Sequence, residues 1–337
     1  MPSPQALRDG RSNAVVKPVP RMLLLFLTLS MACTLVVAGR DKNGLQLVLE
    51  TDKSAYAPYE PILLNYWVEN TSRTALAVPT LIDAHFGWIR FEIASGGGPF
   101  KPYRTGEMAD GGWSTAPLEP GKRLLSKVVV VTNLYGRAAR MNRQYAGTRL
   151  FPFSEPGTYR IRGTYPITID GDSALASNVV TVSIRGASKE EQEAFAFFTD
   201  PDEYAAAVGA DAEAKNQEAG IRRWEEFVER YPKSIYTPAI RMHLGRLYLN
   251  GTGVAREPEL AAAHFRAVAD TRANGQTDDA LIELAKSEIE RGRVVDAEAA
   301  LTELMKRFPN SARKSDALRL RDGLAKGWRT LHDIYSN

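Results

Sequence analysis

The feature that most restricts this chain is a change of hydrophobic period close to residue 187. Before it, apolar residues alternate: Leu45, Leu47 and Leu49 fall on one face of a period-two strand. After it, they return every three to four residues, the spacing of a helix with one buried stripe. No single sheet or bundle satisfies both periods, so two architectures share the chain. Ser188-Lys189-Glu190-Glu191 marks the switch as a capping box, with Ser188 as N-cap and Glu191 reaching back to it.

Residues 44–186 read as a β domain. Strands are predicted from Leu45, at Ile62–Val68, Ile89–Ile93, Leu124–Val131, Thr158–Tyr165 and Val179–Ile184, with no helical period between them. Thr51-Asp52-Lys53 and Glu69-Asn70-Thr71-Ser72 break the first two runs. Pro120-Gly121 and Pro156-Gly157 carry the residues of type II turns: Pro where φ is fixed, Gly where φ is positive. Short strands with such punctuation predict an antiparallel sandwich.

The stretch Thr51-Asp52-Lys53-Ser54-Ala55-Tyr56-Ala57-Pro58-Tyr59-Glu60-Pro61-Ile62 resembles the opening of immunoglobulin-like domains of bacterial surface proteins and macroglobulins. Leu118-Glu119-Pro120-Gly121 and Phe153-Ser154-Glu155-Pro156-Gly157-Thr158-Tyr159 resemble their later turns. Tyr59 stands where those domains carry glycine, which predicts a type I turn there. The resemblance implies a fold and no activity.

Ahead of this domain, Met22–Val37 is almost wholly apolar, follows four basic residues and stops at Gly39-Arg40-Asp41-Lys42. That is the layout of a secretory signal, so residues 1–38 are read as a signal peptide or membrane anchor. Three fates compete: cleavage before Gly39, lipidation at Cys33, whose surroundings loosely resemble a lipobox, and retention as an anchor. Cys33 is the chain's one cysteine, so no disulfide framework is available downstream. The formal charge of +3 belongs to this leader; beyond residue 38 the chain carries 39 basic and 39 acidic groups. Such a balance offers no concentrated basic face, which excludes nucleic acid as a partner.

The long stretch Ser95–Pro120 places Phe100, Tyr103 and Trp113 among glycines and prolines, as contact residues on a rigid scaffold or as a cover for one end of it. Asp83, His85, Glu107 and Asp110 match no ligand spacing, so no metal is assigned. Lys122, Arg123, Lys127, Arg137, Arg140, Arg143 and Arg149 accumulate in a span without acidic residues, readable as an acidic-partner patch or a solvated loop.

Residues 188–330 read as helical repeats, with helices near 189–199, 212–231, 236–249, 258–271, 278–291, 294–308 and 312–326. Glu229-Arg230-Tyr231-Pro232-Lys233-Ser234 recurs as Lys306-Arg307-Phe308-Pro309-Asn310-Ser311, a displacement of 77 residues that holds two units. The helices are paired so that Ala239, Ala280 and Ala317 fall in the second of each pair. Phe227, Phe265 and Leu304 are related by the repeat and are expected to pack between layers. Phe227, Arg230-Tyr231-Pro232, Ser234 and Ala239 resemble tetratricopeptide repeats. Leu244-Gly245, Leu247-Tyr248, Gly251, Gly253-Val254, Ala261 and Phe265 resemble a Sel1-like repeat. Both resemblances imply protein–protein interaction without catalytic residues. His243, His264 and His332 lack a second ligand at i+4 and read as packing or surface residues.

The fold expected is therefore multidomain β + α: an N-terminal Ig-like antiparallel β-sandwich, then a C-terminal α-helical hairpin repeat. The function expected is a non-catalytic interaction or scaffold protein, periplasmic or otherwise held at the cell envelope, that binds a protein partner through its helical repeats. The alternative is a ligand- or polymer-binding β-sandwich that the helices support. No cofactor is expected. Candidate partner contacts are Phe100, Tyr103 and Trp113, with Arg222, Glu226, Arg266 and Glu303 on helical outer turns where substitution should be tolerated.

Overall fold

The computed structural model describes residues 44–80, 82–84, 88–104, 114–138, 148–167, 173–209, 217–271 and 275–336. The leader with Cys33, and Trp113, His85, Glu107, Asp110, Arg140 and Arg143, lie outside the described residues.

The strands in chain order are β1 (Leu45–Thr51), β2 (Ala55–Tyr56), β3 (Ile62–Asn70), β4 (Leu76–Pro79), β5 (Arg90–Ser95) and β6 (Lys101–Tyr103). They continue as β7 (Thr115–Leu118), β8 (Arg123–Val130), β9 (Gly157–Pro166), β10 (Ala174–Ala176) and β11 (Val180–Ile184). One sheet runs β1-β3-β8 and a second runs β2-β11-β9-β5-β6, with β10 on β9; β4 and β7 form a two-stranded ribbon. Each of the six expected strands is present. Pairing is antiparallel except between β11 and β2. The two larger sheets meet over one core: Leu47, Leu49, Leu64, Tyr66 and Val130 from the first, Phe91, Ile161, Tyr165 and Val182 from the second.

Two runs depart from strict alternation, and the helices explain both. Ile62-Leu63-Leu64 and Val128-Val129-Val130 read as strands buried on two faces. Leu63 points away from the sheet core and lies against Gly275, where an added Cβ would come within 2.6 Å of it. Around Leu63 and Lys127 the second face of β3 and β8 is thus covered by the helical half.

The helices are α1 (Leu134–Ala138), α2 (Lys189–Phe195), α3 (Pro201–Ala207), α4 (Gln217–Arg230) and α5 (Thr237–Asn250). After them come α6 (Pro258–Ala269), α7 (Thr277–Glu290), α8 (Val294–Arg307), α9 (Lys314–Ala325) and α10 (Leu331–Ser336). The Ser188–Glu191 capping box forms as read. A further helix, α3, lies between the first two expected ones: Asp200 caps it, and Pro201 takes its first position, where a missing N–H costs nothing. α1 interrupts the stretch read as free of helix.

The described residues belong to one compact unit. Val131 and Phe151 leave the sheet core and join the helical one. The turn at Tyr59 locks this junction and corrects the sequence reading. Tyr59 has φ 63°, and Glu60 N–H donates to Ala57 O at 3.2 Å, so tyrosine occupies the left-handed position of a type II turn. That conformation costs a non-glycine residue about 1–3 kcal/mol. Stacking offsets it: the Tyr59 ring lies on Phe195 at 4.1 Å between centroids and meets Phe151 edge-on at 5.3 Å. Tyr204 and Tyr236 hydroxyls donate to Tyr59 O and Pro58 O, each at 3.0 Å, tying α3 and the start of α5 to the same turn. Of the two Pro-Gly turns, Gly121 has φ 71° and closes type II, whereas Gly157 has φ 154° and leads straight into β9.

Candidate functional site

The repeated motif is built alike at both copies. Ser234 N–H donates to Tyr231 O and Ser311 N–H to Phe308 O, each at 3.0 Å. Ser234 Oγ accepts the Tyr236 N–H, and Ser311 Oγ accepts the Arg313 N–H at 2.9 Å. Each copy is a tight connector that delivers the chain into the next helix, α5 or α9. These connectors, with the one before α7, line the edge of the helical stack that meets β3 and β8.

A buried ion cluster fixes that edge. Lys127, on the outward face of β8, is almost fully buried and reaches Asp278 Oδ1 and Asp279 Oδ2, each at 2.5 Å. Ser311 Oγ donates to Asp278 Oδ2, and Arg313 Nε donates to Asp279 Oδ1. Both aspartates sit in the first turn of α7, where the helix dipole favours negative charge. Burial acts to raise the Asp279 pKa, but Lys127 and Arg313 outweigh it and hold the carboxyl below its ordinary range. One lysine of the sheet therefore anchors α7 directly and, through Ser311 and Arg313, the connector into α9.

The first helices of the stack also share how they end. Gly292 and Gly327, at φ 72° and 85°, follow α7 and α9 in matching Schellman motifs: Arg293 N–H donates to Glu288 O and Trp328 N–H to Gly323 O. α7 then folds back on α8 through a three-residue turn. With the connectors, this places the hairpins as α3/α4, α5/α6 and α7/α8, with α9 opening the next. The pairing read from sequence is thus shifted by one helix, and Ala239, Ala280 and Ala317 belong to first helices. Phe227, Phe265 and Leu304 are fully buried as expected, but Phe265 packs within the α5/α6 hairpin, against Gly245, rather than between layers.

The candidate contact residues scatter. Phe100 is half-buried under Arg160 and Arg162, whose guanidinium carbons lie 5.0 and 4.2 Å from the ring centroid. Tyr103 is 4% exposed in the sheet core, so it presents no face to a partner, a correction to the contact reading. Arg222, Glu226 and Glu303 are exposed on second helices α4 and α8. Arg266 is not a free charge: it donates to the fully buried Glu288 at 2.7 Å and ties α6 to α7, so neutral substitution is not expected there. Among the described residues, no three His, Cys, Asp or Glu group as a metal site.

Two histidines are structural. His264 Nε2 lies 3.0 Å from Glu225 Oε1, with its ring stacked on Tyr248. His243 packs beside Trp224, and burial, with Arg246 adding to it, drives its pKa down to about 4. Unfolded histidine titrates near ~6.5. The folded chain therefore resists protonation between these values, and this contribution, complete above ~6.5, is lost as pH falls toward 4. The loss amounts to about 3 kcal/mol. Urea unfolding at pH 7 and pH 4.5 should show a smaller difference for His243→Gln than for wild type. An unchanged difference would remove His243 from the account.

The first-helix face runs across these elements. Gly209 after α3 meets the His243 ring of α5, and Arg246 stands one turn beyond. On α7, Lys286 pairs with Glu283 at 2.9 Å, and on α9 Arg319 is exposed. Residues 279–311, spanning most of α7 and all of α8, match the tetratricopeptide repeat family.

A tetratricopeptide repeat supports protein binding. It also supports the hairpin register derived from the turns. No curated protein matches this chain. Among solved structures, a β-glucosidase from Erythrobacter marinus is 15% identical over 42% of this chain and 15% of its own, with TM-score 0.24. β-Glucosidase 3B from Thermotoga neapolitana, in complex with glucose, is 16% identical over 42% and 16%, with TM-score 0.23. A Listeria innocua β-glucosidase in complex with glucose is 13% identical over 42% and 16%, with TM-score 0.23. The chain spans only these small fractions of the enzymes' length, and likeness at this level carries no argument about activity. No helix among the described residues is long and apolar enough to cross a membrane.

Proposed function

We propose that this chain is an exported, non-catalytic interaction protein of the cell envelope, in which the helical hairpins hold a protein partner and an Ig-like sandwich carries them. The observation that carries the reading is the tetratricopeptide match at α7 and α8, the first of which the Lys127 cluster anchors to β8. The helices of the stack share one hydrophobic core, and such pre-organisation favours recognition without a large ordering cost. The pattern through Leu244–Phe265 supports a Sel1-like neighbour to that repeat. Two facing sheets support the Ig-like reading, as does Tyr159, whose hydroxyl donates to Glu155 O at 2.9 Å in the manner of a tyrosine corner. The basic and apolar leader supports export, with cleavage, lipidation at Cys33 or retention as its outcomes.

A second reading has its own observation. A groove of about 590 Å³ lies between the outer face of the first sheet and the Arg307–Ala312 connector, lined by Trp67, Asn65, Leu125, Phe308 and Asn310. An indole beside amide side chains suits a small ligand or polymer unit. The full chain expressed in an envelope-bearing host decides between the two by site-directed photo-crosslinking. Crosslinkers at Arg246 and Lys286 should trap a protein in the envelope fraction. Trapping confined to a crosslinker at Leu125 would move binding to the sheet.

A further inference from the structure

The last described helix does not lie where the second helix of a hairpin belongs. α10 packs against α9 and α7, both first helices, so it covers the face that the repeats would offer to a partner. Its contacts are specific. Ile334 is fully buried against Gly323 of α9, where an added Cβ would come within 2.7 Å of it. Tyr335 stacks under the Arg319 guanidinium at 4.8 Å, and Arg319 Nη2 donates to Tyr335 O. The Leu331 N–H, in the first turn of α10, donates to Glu290 Oε1 at 2.9 Å, placing a carboxylate at a helix N-terminus.

We propose that α10 is a built-in occupant of the tetratricopeptide-type groove, and that the partner it stands in for is an amphipathic helix with apolar residues at the spacing of Leu331, Ile334 and Tyr335. The inference rests on the reading that the repeats bind protein. The occupant supplies the chemistry of the partner: an apolar side chain for the Gly323 notch, an aromatic for Arg319, and a first-turn N–H for Glu290. α10 has six residues and one fully buried side chain, Ile334. So short a segment opens locally at far lower cost than α7 or α9. While it is docked, the apparent affinity of a rival helix is lowered by the closed fraction.

The probe is a labelled peptide of residues 326–336, titrated into the full chain. Ile334→Asp should release α10, and the peptide should bind that variant at least tenfold more tightly than wild type. Hydrogen exchange on the wild-type chain is the second measurement and needs no variant. Amides 331–336 should exchange ahead of 277–290 and 314–325, and excess peptide should speed them while the others stay protected. Equal peptide affinity for wild type and a folded Ile334→Asp variant would overturn the proposal. So would exchange of 331–336 only together with α9, or a concentration-dependent dimer that excludes the peptide and so assigns the face to a second copy. Peptide displacement with no partner ever trapped at Arg246 or Lys286 would leave this device standing and sink the binding reading instead. Equal trapping by wild type and Ile334→Asp would sink the device alone.

Discussion

Replacing Lys127 by methionine should destabilise the chain by about 3–5 kcal/mol, although the side chain keeps its length and loses only its charge. The reason lies in what stays behind. Asp278 and Asp279 are both buried against β8, and Lys127 is the sheet's single contribution to their neutralisation in the cluster described. Arg313 remains on Asp279, and Ser311 on Asp278, but neither replaces an ammonium held between two carboxylates. Denaturant unfolding at pH 7 measures the loss. The pH dependence separates charge from packing. In wild type, Asp279 is held below its ordinary range, so its contribution is present above about 3.9 and fades as pH falls through the folded value. Without Lys127 the Asp279 carboxyl loses a cation that holds its pKa down and takes up a proton more readily, so the penalty should shrink between pH 7 and pH 4. Adding Asp278→Asn to Lys127→Met should recover much of the loss, because Arg313 then balances the one carboxylate that remains, Asp279. A penalty that is independent of pH, and undiminished in the double variant, would show that Lys127 acts through packing alone.

The second large effect is expected at Phe265. Its ring is fully buried and fills the notch left by Gly245 on the preceding helix, where an added Cβ would stand 2.6 Å from the ring. Phe265→Ala should cost about 3–5 kcal/mol, the transfer of the ring plus the cavity left between α5 and α6. Gly245→Ala should cost about 1–3 kcal/mol for the opposite reason, since a rigid ring cannot yield to it. The pair should couple: Gly245→Ala with Phe265→Leu should lose less than the sum of the single changes. Thermal and urea denaturation of the four chains give the cycle. Additive losses would mean that the two side chains do not share one packing site.

These two positions differ in how far the sequence announces them. Phe265 follows from the helical period and from the repeat, and it is buried as both predict. Lys127 stands alone among Leu124, Leu125 and the valines of β8, an oddity with no stated partner, and its aspartates lie 151 residues downstream. No local rule connects such residues; only the tertiary fold does. Helix existence was legible because each buried stripe repeats, whereas hairpin register was not, because first and second helices carry similar stripes. The glycines that end α7 and α9 held that information, as Gly292 and Gly327. Asp200-Pro201 likewise signalled the start of α3, a helix too short for its apolar period to show. Tyr59 misled in an instructive way: propensity argues against tyrosine at positive φ, and aromatic stacking from the helical half overrides it. Tyr103 misled because a glycine-rich neighbourhood suggests a loop, while the residue itself pairs with Phe91 inside the second sheet.

The central claim, that the first-helix face of the repeats holds a protein partner, is tested most directly by pairing capture with stability. Arg246→Glu reverses charge on that face at an exposed position, and Lys286→Gln removes the cation of a part-buried pair with Glu283 while keeping a polar side chain of similar length. The account predicts that the double variant keeps its melting temperature within about 2 °C and loses partner capture at least tenfold. Arg222→Glu, on a second helix, should change neither. Undiminished capture by the double variant, with capture lost instead on substituting Trp67 or Leu125 in the sheet groove, would contradict it.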